Sequence, residues 1–362
     1  MVSELYRKAH KFVSNHWLTV AFLLGFIVDN LTLNRVDQVF DNIVLLSYVL
    51  LAMLSIILLY AGIAERFSER LNRFFRLRAP LLMQYAFGGL LSGMLIFYGR
   101  SSSLGDSWPF ILIIIGVMVG NETIKDRVQR LVYNLVIFFV GLFSYSVLIV
   151  PVILGKMGAL IFVLSGALAL LVMFIFLQLL ERIIPNFVRL QKRMLVFIIG
   201  LIYVGFNVLY FTNVIPPIPL SMKHVGIYHN VIRAEDGSYT LMYEKPKWWQ
   251  WYRESDKEFH SEPGDNIYCY TSVFAPSRLA VQIFHRWEYY DEAMGEWRMH
   301  GRFSYAIQGG RDDGYRGYTL ISNFRDGTWR CTVETERGQV IGREEFEIES
   351  GTRSELVTKQ EG

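Results

Sequence analysis

His285, Arg286 and Trp287 are consecutive in the run Phe284-His285-Arg286-Trp287-Glu288-Tyr289-Tyr290. An imidazole can move a proton near neutral pH, a guanidinium fork binds carboxylate or phosphate, and an indole face stacks on a sugar ring. A second group, Arg311, Tyr315 and Arg316, falls in the glycine-bounded stretch Gly309–Tyr318 around Asp312-Asp313. Together these six residues suit an anionic glycan or headgroup, with His285 the obvious acid–base candidate. A structural reading competes at each place. In a strand, Phe284, Arg286, Glu288 and Tyr290 share one face and His285, Trp287 and Tyr289 the other, so one set must be core. Arg311 and Arg316 can instead hold their loop together by pairing with the two aspartates.

Three further groups carry chemistry or contact. Trp248, Trp249, Trp251 and Tyr252 crowd one loop-like stretch after Lys245-Pro246-Lys247; such rings dock on a bilayer interface or a helix bundle, or stack on a ligand. Asp29, Asn30, Arg35 and Asp37 cluster at the end of an apolar run, where a charge is costly unless it faces protein or water. They suit an ion or ligand contact, or a plain Asp29–Arg35 pair at the interface. Cys269 and Cys331 are the only cysteines, and either join in a disulfide or remain two reduced core residues. No zinc, nucleophile-elbow or phosphate-loop motif is present, so no cofactor and no metal are expected.

The elements that must position these residues come in two regimes. The chain has 362 residues, 52% of them hydrophobic. Up to about Leu220 long apolar runs dominate, near the roughly 20 residues a bilayer core requires. They are Trp17–Leu33, Ile43–Ala64, Pro80–Tyr98, Trp108–Gly120, Leu131–Ile153, Gly158–Leu180 and Met194–Val214. Fifteen basic residues fall before the first run and in every second gap after it: Arg7, Lys8 and Lys11; five arginines from Arg66 to Arg78; Lys125, Arg127 and Arg130; and Arg182, Arg189, Lys192 and Arg193. The intervening gaps hold only Arg35, Arg100 and Lys156. Basic loops stay in the cytoplasm, so seven spans starting inside export the C-terminal third. The first run is an anchor and not a cleaved leader, because Asp29-Asn30-Leu31-Thr32 offers no small-x-small site. The basic, amphipathic stretch Glu65–Ala79 is a loop helix that fixes topology.

The expected fold is therefore a membrane all-α bundle of about seven transmembrane helices over residues 1–214. A proline-rich linker at 215–222 leads to an all-β, antiparallel, Ig-like sandwich at 223–350, and 351–362 are a disordered tail. The strands are expected at His224–Arg233, Tyr239–Glu244, Asn266–Phe274, Arg278–Tyr290, Glu296–Gln308, Tyr315–Ser322, Thr328–Thr335 and Gln339–Glu349, separated by glycine-bearing turns. The net charge of +3 gives no ground for nucleic acid; the basic residues track the membrane instead.

The ordered signals Gly264-Asp265-Asn266-Ile267-Tyr268, His285-Arg286-Trp287, Gly309-Gly310-Arg311, Gly314-Tyr315-Arg316, Gly327-Thr328-Trp329-Arg330 and Gly338–Gly342, ending in Phe346, resemble a bacterial C-terminal domain, the domain-of-unknown-function family twenty-nine-fourteen. The spanning region, with Gly25-Phe26 before Asp29 and Leu31-Thr32-Leu33, is similar to its multi-spanning partner region, also of unknown function. The resemblance implies a Gram-negative envelope protein with a β-rich C-terminal domain, and it carries over no catalytic residue. The expected protein is a multi-pass inner-membrane protein with a periplasmic module that binds an envelope glycan or a protein partner. Two other classes stay open. One is an enzyme acting on a lipid-linked substrate, with Asp29, Asp37 and Asp41 around a divalent metal. The other is a transporter or channel lined by Asp29 and Asn207.

Overall fold

The computed structural model describes residues 17–33, 35–101, 104–123, 130–250 and 253–362. The chain divides into a helical unit and a β unit.

Among the described residues the helical unit has seven α-helices: α1 (Trp17–Thr32), α2 (Val39–Ile63), α3 (Glu69–Arg100), α4 (Leu104–Thr123), α5 (Leu131–Leu154), α6 (Ala159–Ile183) and α7 (Pro185–Phe211). Five of them, α2, α3, α5, α6 and α7, are long and apolar enough to cross a membrane. The expected loop helix at Glu65–Ala79 is not a separate element. Glu69 opens α3, which continues through Pro80 to Arg100. Arg76 ties its first turns to the end of α2, donating from Nε to the Gly62 carbonyl at 3.0 Å and pairing with Glu65 at 3.1 Å. Small residues set the closest approaches. A Cβ on Gly89 of α3 would lie 2.4 Å from the Tyr48 ring of α2, so α2 and α3 pack through a glycine that no other residue replaces without movement.

Among the described residues the β unit has eleven strands: β1 (Ser221–Tyr228), β2 (Asn230–Arg233), β3 (Tyr239–Glu244), β4 (Glu258–Ser261), β5 (Ile267–Phe274), β6 (Ala280–Asp291), β7 (Glu296–Gln308), β8 (Tyr315–Ile321), β9 (Gly327–Thr335), β10 (Val340–Ser350) and β11 (Leu356–Glu361). They form three sheets, ordered β1-β5-β8, β4-β10-β9-β6-β7 and β11-β3-β2. Ladders are antiparallel except β4 on β10, which is parallel. The first sheet is apolar on both faces. Ile227, Ile267, Cys269 and Ile321 pack with Trp287, Trp329, Cys331 and Phe346 of the large sheet, while Tyr228 and Tyr270 pack with Val231, Tyr239 and Leu241 of the small one. Burial on both faces explains why β5 does not alternate: it is buried almost throughout, its polar Thr271 and Ser272 being satisfied by hydrogen bonds. A disulfide joins Cys269 of β5 to Cys331 of β9, across the first sheet and the five-stranded one.

Three expectations are corrected here. The run expected as one strand over His224–Arg233 is two, because His229 is the corner at which the chain leaves the β1 sheet for the β2 sheet. Residues 356–361, expected in a disordered tail, form β11 against β3, with Leu356 opposite Glu244 and Glu361 opposite Tyr239. The sandwich expected to be antiparallel throughout includes the parallel strand β4, whose register runs from Glu258 opposite Glu347 to Ser261 opposite Ser350.

Candidate functional site

The six residues expected to bind a ligand do not form a site. Alternation resolves as one core face and one outer face. His285 and Trp287 are fully buried, so neither can meet a ligand. The His285 ring contacts Thr271 through Nε2 at 3.1 Å and Thr319 through Nδ1 at 2.9 Å. Burial drives its pKa down to about 3, so it stays neutral. Trp287 donates its indole N–H to Thr319 at 3.0 Å.

On the opposite face Arg286 is engaged by two nearly buried carboxylates, Glu334 and Glu288, each at 3.0 Å. Arg302 adds a bond to Glu334 at 2.8 Å and Arg330 one to Glu288 at 2.7 Å. Arg286 is thus one member of an interlocked ladder across β7, β9 and β6, and its charge is spent there. Arg311 lies over the half-buried Tyr315 ring, 5.4 Å from its centroid, and Arg316 donates to the Gly362 carbonyl oxygen. The loop between β7 and β8 is clamped by backbone packing. A Cβ on Gly309 would meet the Pro276 carbonyl oxygen at 1.7 Å, and Ser272 donates to the carbonyl of Asp313.

The polar group at the end of α1 also separates. Asp29 is fully buried and accepts hydrogen bonds from Tyr48 of α2 at 2.7 Å and from Ser92 of α3. Arg35 is bidentate on Asp37, at 2.8 and 3.1 Å, and gives its amide to Asp41 at 2.7 Å. The expected Asp29–Arg35 pair is therefore replaced by an interhelical hydrogen-bonded anchor and a local ion pair. Asn30 turns back to the Phe26 carbonyl at 2.9 Å, and Asn207 to that of Tyr203 at 2.8 Å. Among the described residues no three acidic groups converge around Asp29, Asp37 and Asp41.

What sequence reasoning missed is a cleft of about 150 Å³ between the end of β3 and the segment leading into β4. Its lining includes Glu244, Asp256 and His260, with Lys245, Lys247, Arg253 and Lys257 among them. A single 3-10 turn, Trp248–Gln250, sits at its edge, with the Lys247 and Gln250 that flank and close this turn both in the lining. Trp248 is 84% exposed and Trp249 54%, their rings edge to face at 5.5 Å. Trp251 and Tyr252, expected in the same aromatic cluster, lie outside the described residues.

Three remote pieces of chain meet beside the cleft, and two of them, carrying Glu244 and Asp256, line it. His229 is the β1–β2 corner, its amide donated to the Met242 carbonyl at 2.9 Å and its ring stacked on Phe259 at 3.9 Å. Glu244 ends β3. Asp256 follows the Trp turn, its amide donated to the Ile227 carbonyl at 2.9 Å. Gly226 makes that approach possible, since a Cβ there would be 2.8 Å from the Ser255 side chain.

His229 Nε2 lies 3.2 Å from Glu244 Oε1 and 3.8 Å from Asp256 Oδ2. Burial alone would raise Glu244. The amides of His260 and Ser354, the Ser354 hydroxyl and the His260 ring outweigh that and bring it down to about 2. Burial takes Asp256 up to about 8 and lowers His229 below its usual value. These side chains could hold a metal ion. The other such grouping, His285 with Cys269 and Cys331, offers no thiolate because its sulfurs are bonded to each other. No spacing in the sequence announces His229, Glu244, Asp256 and His260; only the corner at His229 and the return of β4 bring them together.

A larger hollow, about 660 Å³, opens beside Glu262, Asp265 and Asp326. Its acids are already engaged, by Arg353 and by Ser350.

Fold and cleft define a protein with a helical segment suited to a membrane and a disulfide-linked β domain. Within that domain residues 281–348, from β6 into β10, match the family described as "Protein of unknown function (DUF2914)". No curated protein matches the chain. Among solved structures, a β-glucosidase from Listeria innocua in complex with gluconolactone aligns over 32% of this chain and 16% of its own, at 12% identity and a TM-score of 0.21. The alkylpurine DNA glycosylase AlkC of Pseudomonas fluorescens, bound to DNA containing an abasic site analogue, aligns over 88% of this chain and 99% of its own, at 11% identity and a TM-score of 0.21. At such scores neither likeness bears on fold or activity.

Proposed function

We propose that this is an integral protein of the bacterial inner membrane that crosses it seven times from a cytoplasmic N-terminus. Its periplasmic β domain is an Ig-like sandwich extended by a third sheet, and binds an anionic envelope glycan. The disulfide between Cys269 and Cys331 supports export, since such bonds persist in oxidising compartments. That agrees with the alternation of basic loops, which is an independent argument from charge. The bridge spans two sheets beside the buried Trp287 of β6, the arrangement that motivates the Ig-like reading.

The observation that carries the binding reading is the exposed Trp248–Trp249 pair at the edge of a cleft lined by Lys245, Lys247, Arg253 and Lys257. Indole faces stack on sugar rings. Lys245 and Lys247, whose partners Glu355 and Glu258 are exposed and exchangeable unlike the nearly buried partners of Arg286, meet carboxylate or phosphate groups together with Arg253. An enzyme or transporter reading gains no comparable support, because Asp29, Asp37, Asp41 and Asn207 are all engaged within the helical unit.

The test uses the full chain in detergent micelles, titrated with acidic and neutral oligosaccharides. Acidic ones should bind, and the Trp248→Ala/Trp249→Ala double variant should weaken binding at least about tenfold, as expected for two stacking aromatics. Equal binding of neutral sugars, or an unaffected double variant, would overturn the reading. Binding to anionic vesicles alone would make the turn a membrane dock instead. A reporter enzyme active only in the periplasm, fused after Gly362, tests the orientation.

A further inference from the structure

We infer that His229, Glu244 and Asp256 form a binding site for one divalent transition-metal ion, of which Zn²⁺ is the fitting example, behind the two carboxylates that line the β-domain cleft. The inference stands apart from the glycan reading, since it concerns the buried His229, Glu244 and Asp256 and not the exposed Trp248–Trp249 rim.

Geometry comes first. A tetrahedral zinc ion with bonds of about 2.0–2.1 Å separates its ligand atoms by roughly 3.3 Å. The Nε2 of His229 stands 3.2 Å from Glu244 Oε1 and 3.8 Å from Asp256 Oδ2, so these two edges already lie close to the required length, and the three ligand atoms lie within 4.8 Å of one another. One imidazole nitrogen and two carboxylate oxygens are a donor set that zinc accepts, and they leave a fourth position for the cleft side.

An unsatisfied atom points the same way. Asp256 is only 3% exposed, yet its Oδ2 has no hydrogen-bond partner. A buried carboxylate oxygen left bare costs free energy, and an ion seated between it and His229 Nε2 removes that cost. Charge balance fits as well: two carboxylates against a divalent cation leave the buried cluster neutral.

The two carboxylates already have outer partners. Asp256 Oδ1 takes the amide of Glu244 at 2.8 Å, which leaves Oδ2 facing inward. Glu244 Oε2 is held by the Ser354 hydroxyl at 2.8 Å and by His260 Nδ1 at 2.9 Å. Such outer partners orient metal ligands, and losing one typically weakens binding about 10–100-fold. His260 and Ser354 are therefore positioning residues. The cleft, lined by Glu244, Asp256 and His260, gives the ion a way in.

The experiment measures metal by mass spectrometry on the full chain purified in detergent without chelator, followed by chelator stripping and Zn²⁺ competition against a chromophoric chelator. The wild type should hold about one zinc per chain. Asp256→Asn keeps the Oδ1 acceptor and should weaken binding more than about 100-fold. His260→Ala should weaken it about 10–100-fold. A stripped wild type that is folded by circular dichroism and takes up no zinc overturns the inference. So does an Asp256→Asn protein that binds as tightly as wild type, since the ion is then elsewhere on the surface. If Asp256→Asn does not fold, the wild-type stoichiometry and the His260→Ala ratio decide alone. The readout is independent of sugar binding, so the two readings can fail separately.

Discussion

Trp287 stands directly opposite Cys331 in the β6–β9 ladder, beside the sulfur bridge that carries the chain over to Cys269 in the facing sheet. The bridge closes a loop of 62 residues, which in the chain-entropy account is worth about 4 kcal/mol. Replacing both cysteines by serine should lower the unfolding free energy of the β domain by roughly 2–5 kcal/mol. Denaturant melts of the detergent-solubilised chain, followed by Trp fluorescence, would detect it. An unchanged midpoint after reduction would mean the bridge contributes nothing.

The second prediction concerns the acid dependence of stability and rests on His285. Its folded pKa is depressed by burial from 6.5 to about 3. In the unfolded chain the ring binds a proton below about pH 6.5, whereas the folded ring does not until about pH 3. The unfolded state therefore binds more protons throughout that window, and stability falls as pH falls through it. The slope from this group is at most about 1.4 kcal/mol per pH unit. Above pH 6.5 both states are neutral and the contribution is flat. His285→Gln should remove this part of the slope. Parallel wild-type and variant curves between pH 6.5 and 4 would contradict the assignment.

Arg286 gives a third, which separates a structural arginine from a ligand-binding one. Removing it leaves Glu288 and Glu334 nearly buried and each short of one cationic partner, though Arg330 and Arg302 remain. Arg286→Ala should cost roughly 1–3 kcal/mol of stability. Arg286→Lys should recover only part, because a point charge cannot serve both carboxylates as the fork does. A ligand-binding arginine would behave oppositely, leaving the melt unchanged and abolishing binding.

A fourth lies in the helical unit. Asp29 accepts from Tyr48 and Ser92, so it links α1, α2 and α3. Tyr48→Phe should cost about 1 kcal/mol, and Asp29→Leu more, since it takes the shared acceptor from the buried hydroxyls of both Tyr48 and Ser92. Asp29→Asn keeps an oxygen acceptor and should cost less than Asp29→Leu. Thermal unfolding in detergent would rank the three.

These residues also mark where the sequence was legible. Period-two alternation over Phe284–Tyr290 correctly separated a core face from an outer face, because a strand of this length leaves no other way to bury Trp287. The apolar runs coincide with all seven helices, of which five are long and apolar enough to cross a membrane. Strand β4 was not legible, being four residues long, set among Glu254, Lys257 and Glu262, and paired in parallel. Nor was β11: Thr358, Lys359 and Gln360 carry no apolar signal, and their pairing with β3 is made by the backbone. The cleft failed for a different reason. His229, Glu244 and Asp256 lie 12 to 27 positions apart and meet only through the His229 corner, while the motif-like His285-Arg286-Trp287 turned out to be packing and ion pairing.

The fifth prediction sets two opposing effects against each other at Gly89. In an isolated helix glycine is about 1 kcal/mol worse than alanine, so propensity alone favours Gly89→Ala. The structure opposes it. The new methyl would sit 2.4 to 2.6 Å from three atoms of the Tyr48 ring, and that ring cannot retreat without breaking its bond to Asp29. Overpacking costs of about 1–3 kcal/mol should prevail, so Gly89→Ala should lower the thermal midpoint in detergent. Gly205, with open space around its Cβ direction, is the control and should show no loss. If the clash with Tyr48 is the cause, Tyr48→Leu should suppress it, making the Gly89→Ala/Tyr48→Leu protein no less stable than Tyr48→Leu alone. A double variant that loses the sum of both single effects would place the cost elsewhere in the helix.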